Sequence, residues 1–167
     1  RHRYAVIPGV SKGPTLTASQ AFVQFLDGST GQAIFVRYPF TEFHASSETF
    51  SIQVGPNRFS RDEIVLALGG PELSLSGEVG LLGSTPWPRR WYAPGIMGWF
   101  SFVPFMQCYH GIVSLDHGLE GELCLNGTHV DLSGGRGYTE KDWGSAFPSV
   151  WVWFHSNHFD TAHTSLT

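Results

Sequence analysis

Tyr138, Glu140 and Asp142 recur at every second position in the run GYTEKDWG. In an extended segment successive side chains point to opposite faces, so these three share one face while Thr139, Lys141 and Trp143 take the other. A hydroxyl and two carboxyl groups in a row make a proton-handling face. Burial disfavours the charged form of a carboxyl group, and a neighbouring carboxylate disfavours it further. A neutral carboxylic acid in an apolar pocket can act as a general acid toward a bound molecule. Tyr138 is then the hydrogen-bonding partner, with Arg136 or Lys141 nearby.

Beyond the turn at residues 144–148 a second extended run is expected. It would put Trp151, Trp153, His155 and Asn157 on one side, and Val150, Val152 and Phe154 on the other. Apolar lining with a few placed polar groups suits a pocket wall better than a core. The ring faces of Trp143, Trp151 and Trp153 would stabilise a cation through their quadrupoles. Taken singly, each residue has a plainer reading, as a core tryptophan, a capping group or a bend before proline. The combination points to a site, with Asp142, Glu140, Tyr138 and His155 as the candidate catalytic groups.

Eight histidines invite a metal reading. His155 and His158 form an H-x-x-H pair, but on a strand they face opposite sides and cannot share an ion without a bulge. His110 and His117 have no partner at metal spacing along the chain. Neither a metal nor a cofactor is therefore expected. No phosphate loop, dinucleotide fingerprint, nucleophile elbow or zinc-finger spacing occurs, and Gly134-Gly135-Arg136-Gly137 lacks the helix a phosphate loop needs.

The elements that must hold this face read as strands. A chain of 167 residues with 14% charged and 14% aromatic residues is expected to form one β-rich domain over residues 1–167. Strands are expected over 4–10, 21–26, 32–38, 50–54, 64–68 and 73–82, with turns at Asp27-Gly28, Gly55-Pro56-Asn57 and Gly69-Gly70-Pro71. Residues 98–115 read as a strand bent at Pro104, ending in a turn at Asp116-His117-Gly118. Residues 119–125 alternate cleanly, and Asn126-Gly127 reads as a hairpin turn. Residues 85–94 form an aromatic loop whose Trp87, Trp91 and Tyr92 would rest on a membrane, lid a pocket or plug a barrel end. Short strands at this spacing predict an antiparallel barrel or sandwich.

A net charge of −4 without a basic run argues against nucleic acid as a partner. The longest apolar runs are too short and broken to span a bilayer. Two cysteines, Cys108 and Cys124, are too few for a disulfide framework and read as reduced thiols of a cytoplasmic protein.

The run GYTEKDWGSAFPSVWVWFHSNHF resembles the signature of the tocopherol cyclase-like family, and PGIMGWFSFVPFMQCYHGIVSLDHGLEGELCLNG and the N-terminal AVIPGVSKG region are similar to its bacterial members. The resemblance implies a lipocalin-like β-barrel, distantly similar to carotenoid 1,2-hydratases, and closure of a chroman ring on a prenylated quinol. It brings Trp99 and Phe147 in as further substrate-binding candidates beside Trp143, Trp151, Trp153 and Asn157. The implied partner is an apolar prenylated small molecule, with peripheral membrane contact and homodimer formation both compatible. This chain carries His155 where the family pattern often has Gln, and Asp142 where plant cyclases have Asn. Family members are longer at both ends, which sets the expectation of a fragment whose open edge would aggregate or dimerise. The alternative is a lipocalin-like binding protein without chemistry, its carboxylates paired with Arg136 and Lys141 to fix the turn before Trp143.

Overall fold

The computed structural model describes residues 2–71, 73–146, 149–150, 152–161 and 164–167. It is all-β and antiparallel, with short 3₁₀ turns at Phe40–Glu42 and Gly98–Phe102. Its backbone contacts divide into two compact units, residues 1–80 with 121–132, and residues 81–120 with 133–167.

In the first unit, β1 (Tyr4–Ser11), β2 (Gln20–Asp27) and β3 (Gln32–Pro39) form an antiparallel meander in unbroken register from Tyr4 opposite Asp27 to Gln20 opposite Pro39. The alternation in β2 buries Ala21, Val23 and Phe25 on one face. Burying Val23 and Phe25 contributes about 1.5–3 kcal/mol each. A second sheet runs through β4 (Phe43–Ala45), β5 (Ser51–Val54), β6 (Asn57–Ser60), β7 (Glu63–Gly69) and the first part of β8 (Ser74–Leu82). It continues into the last part of β9 (Cys108–Leu125) and β10 (Thr128–Asp131), and its core is Val54, Phe59, Leu66, Leu68, Leu75, Val79, Leu123 and Val130.

Two strands here differ from expectation. β4 is too short to carry a periodic signal, and β6 begins at Asn57, inside the expected turn. Asn57 is fully buried: its Nδ2 donates to the Val54 carbonyl and the Tyr38 hydroxyl, and its Oδ1 accepts from the Ala67 N–H. A turn asparagine thus serves as a satisfied core peg. Asn126 (φ 49°) and Gly127 (φ 81°) do form the expected tight turn, with Thr128 opposite Leu125. Where β8 neighbours β9, a Cβ on Gly77 would lie 2.3 Å from the Glu122 carbonyl oxygen and one on Gly121 2.3 Å from that of Glu78. Both glycines have positive φ, so two features exclude a side chain there.

The second unit holds β9 residues 108–120 and β11 (Arg136–Gly144), paired antiparallel with a bulge around Thr139. The bent strand expected over 98–107 is not formed. Gly98 and Phe105 both have positive φ and Pro104 has no N–H to donate, so the chain turns as a 3₁₀ segment. The expected turn at Asp116-His117-Gly118 is likewise replaced by continuous strand. Asp116 and His117 are only 4% exposed, because partners inside the fold satisfy their polar groups. Both cysteines are free thiols, and no described helix is long and apolar enough to cross a membrane.

Candidate functional site

The site lies wholly in the second unit and is built from the β9–β11 pair. Antiparallel register sets Asp142 directly opposite His110 and Glu140 opposite Ile112. Directly opposed side chains have Cβ atoms about 4.5–5.5 Å apart, close enough for a direct bond. His110 Nδ1 accordingly meets Asp142 Oδ1 at 2.6 Å, and its Nε2 faces Glu140 Oε2 at 3.6 Å. Each ring nitrogen of one imidazole addresses a different carboxylate.

Glu140 Oε2 is the point of convergence. The Tyr138 hydroxyl donates to it at 2.6 Å and Trp153 Nε1 at 2.9 Å. Hydrogen bonds to a carboxylate oxygen are the stronger kind, worth about 1.5–3 kcal/mol each. They fix where that oxygen points. Burial, and then the bond to Glu140, raise the Tyr138 pKa, so its hydroxyl stays a donor. The faces of His155 and Tyr138 stack with centroids 3.7 Å apart. Both imidazole nitrogens of His155 are buried and have no hydrogen-bond partner among the described residues. Burial lowers the His155 pKa, against the opposing pull of Glu140 and Asp116, and so favours the neutral ring.

A second network anchors this face. Asp116 accepts both arms of the Arg136 guanidinium, Nε to Oδ1 at 2.9 Å and Nη2 to Oδ2. Asn157 Nδ2 donates to Asp116 Oδ1 at 3.2 Å and to the Gly137 carbonyl at 2.9 Å. His117 Nδ1 meets Ser114 Oγ at 3.0 Å. Burial lowers the His117 pKa, with Asp116 opposing.

The structure therefore brings Tyr138, Glu140, Asp142, Trp153 and His155 together and puts Trp143, Trp99 and Asn157 elsewhere. Trp143 lies on the opposite face of β11, stacked on Tyr109 and under the Lys141 ammonium at 4.9 Å. Trp99 sits in the 3₁₀ turn, stacked on Phe100 and 62% exposed. Asn157 is 5% exposed and occupied with the Asp116 anchor. Trp151 and Phe147 lie outside the described residues. Among the described residues the expected second strand is also absent, since residues 152–155 are irregular and Ser156 makes an isolated bridge to Leu166. Val150 and Val152 are 84% and 94% exposed, so the aliphatic side that would have anchored a strand is buried against nothing. Of the two cations expected to fix the turn, Arg136 pairs with Asp116 and Lys141 lies over the Trp143 ring. Trp91, at 89% exposure, plugs nothing.

His110 is the residue that sequence reasoning missed. Its ligating atom lies within 4.8 Å of those of Glu140 and Asp142, so the expectation that it has no partner at metal spacing is corrected. As a cation site the arrangement fits poorly. One imidazole offers one nitrogen, Asp142 already holds Nδ1, and Glu140 Oε2 already accepts two hydrogen bonds. As a proton path it fits well, because an imidazole can take a proton at one nitrogen and release one from the other.

Two plant proteins are similar to part of this chain. Tocopherol cyclase, chloroplastic, from Zea mays is 33% identical over 73 residues, covering 42% of this chain and 15% of that protein. Probable tocopherol cyclase, chloroplastic, from Oryza sativa subsp. japonica is 32% identical over 66 residues, covering 39% of this chain and 14% of that protein. The matched stretches thus span a small part of these relatives' length. No solved structure matches. The tocopherol cyclase-like family model matches residues 84–167, the half that carries β9, β11 and the Glu140 cluster, and the chain belongs to that family.

Proposed function

We propose that this protein binds an apolar prenylated quinol and closes a ring on it by protonating the prenyl alkene. The observation that carries this reading is the convergence on Glu140 Oε2 of Tyr138, Trp153 and, at longer range, His110. In its acid form Glu140 gives its proton to the less substituted alkene carbon. The carboxylate that results is the species that Tyr138 and Trp153 stabilise, so the two bonds strengthen as charge develops. The tertiary cation is held against the Trp153 ring. The quinol oxygen then attacks it and loses its proton. His110, held by Asp142, returns a proton to Glu140. Positioning of alkene, acid and phenol supplies the rest of the acceleration.

That the plant relatives are named as tocopherol cyclases supports the substrate class. The exposed rings of Trp91, Tyr92, Phe100, Phe102 and Phe105 suit a peripheral membrane contact, where such a substrate would reside. The test is turnover of prenylated quinols by the full-length protein and by its Glu140→Gln, Asp142→Ala and His110→Ala variants. The reading expects chroman product from the parent protein, loss of about 10²-fold or more in Glu140→Gln, and slower turnover in the other two. Prenylated quinol that is bound but recovered unaltered would replace this reading with a binding protein.

A further inference from the structure

We infer that His155 is the position that reads the quinol hydroxyl and takes its proton as the ring closes. The inference rests on the cyclisation reading and adds the residue that the acid side of the cluster lacks. Its basis is geometric. The imidazole is fixed face to face on Tyr138 at 3.7 Å, with the rings 22° from parallel, and Tyr138 is itself held by Glu140. Of the site's polar side chains, Tyr138 and Trp153 bond to Glu140 and His110 bonds to Asp142, whereas both nitrogens of His155 are buried and unpartnered among the described residues. A neutral imidazole carries one acceptor and one donor. Each buried polar atom left unmatched costs about 1–3 kcal/mol, which a ligand hydroxyl would recover. Tyr138 thus holds a carboxyl group at its hydroxyl and an imidazole against its ring face.

Access does not require breaking a sheet. Residues 152–155 are irregular and are tied through two backbone hydrogen bonds between Ser156 and Leu166, one from Thr167 Oγ1 to the Phe154 carbonyl and one from Trp153 Nε1 to Glu140 Oε2, none of them part of a strand ladder. The step balances. Glu140 supplies one proton to the alkene carbon, the quinol O–H breaks as its oxygen bonds the cation, and His155 accepts the released proton. The product is an isomer of the substrate, and His155 returns its proton to solvent while His110 reloads Glu140.

The test is equilibrium binding to the full-length protein of a prenylated hydroquinone and of its O-methylated ether, which keeps the apolar body but cannot donate. The parent protein is expected to prefer the free hydroquinone by about tenfold, the equivalent of one good hydrogen bond. His155→Phe, which keeps the stack on Tyr138, is expected to abolish that preference while retaining the ether's affinity. His155→Gln, which restores a hydrogen-bonding group, is expected to recover part of it. A parent protein indifferent to the hydroxyl, or an undiminished preference in a folded His155→Phe, would overturn the inference. If His155→Phe fails to fold, His155→Gln decides: altered hydroxyl preference supports the assignment and unaltered preference rejects it. Because binding is read without turnover, hydroxyl preference without product would fault the cyclisation reading alone.

Discussion

Replacing Asn157 with leucine removes two specific hydrogen bonds from a side chain that is 5% exposed. One goes to the Asp116 carboxylate and one to the Gly137 carbonyl. A bond to a charged acceptor contributes about 1.5–3 kcal/mol and a neutral one about 0.5–1.5 kcal/mol. Leucine has comparable volume, so most of the loss is polar, and some is offset by the apolar surface it buries. A net cost of about 2–4 kcal/mol follows. At about 2–4 °C per kcal/mol for a chain of this size, the melting midpoint should fall by about 5–15 °C. Near-ultraviolet circular dichroism during a thermal ramp reads it. Asp116→Asn combined with Asn157→Leu should be less destabilising than the two single changes summed, because the pair shares a bond. A midpoint that stays put, together with loss of ligand binding, would refute the anchoring role and return Asn157 to the substrate wall.

Gly77→Ala should destabilise the first unit. Its positive φ alone costs a side chain about 1–3 kcal/mol, and a Cβ 2.3 Å from a backbone oxygen adds to that, so a melt within error of the parent's would contradict the geometry. Stability should also depend on pH through His117 and His155. Burial lowers both pKa values, so the folded state binds fewer protons than the unfolded one as pH falls below the ordinary 6.5. Their contribution is full above 6.5 and declines as pH falls from there toward the lowered folded values. A melting midpoint that rises on acidification through that window would have the wrong sign.

The face carrying Tyr138, Glu140 and Asp142 was legible because β11 is a strand. Period two put Tyr138, Glu140 and Asp142 together, and a bulge at Thr139 did not undo it. The His110 partnership was not legible, since it depends on a register linking residues 32 apart. A signal was nonetheless present in β9, where His110, Ile112 and Ser114 alternate like a strand that must pair with something. The run after Trp151 misled because alternation describes a strand only when one face is buried. Val150 and Val152 bury nothing, and the chain there stays irregular. Asp116 and His117 looked like turn residues because nothing local predicts the Arg136 and Ser114 side chains that satisfy them within the fold.

Mass spectrometry of the product formed in deuterated water tests the central claim most directly. Protonation of the alkene by Glu140, reloaded from solvent through His110, places one deuterium on the carbon that accepted the proton. The account predicts a singly deuterated chroman from the parent protein and a yield lower by about 10²-fold or more from Glu140→Gln. Product lacking carbon-bound deuterium, or an undiminished deuterated yield from Glu140→Gln, would contradict it.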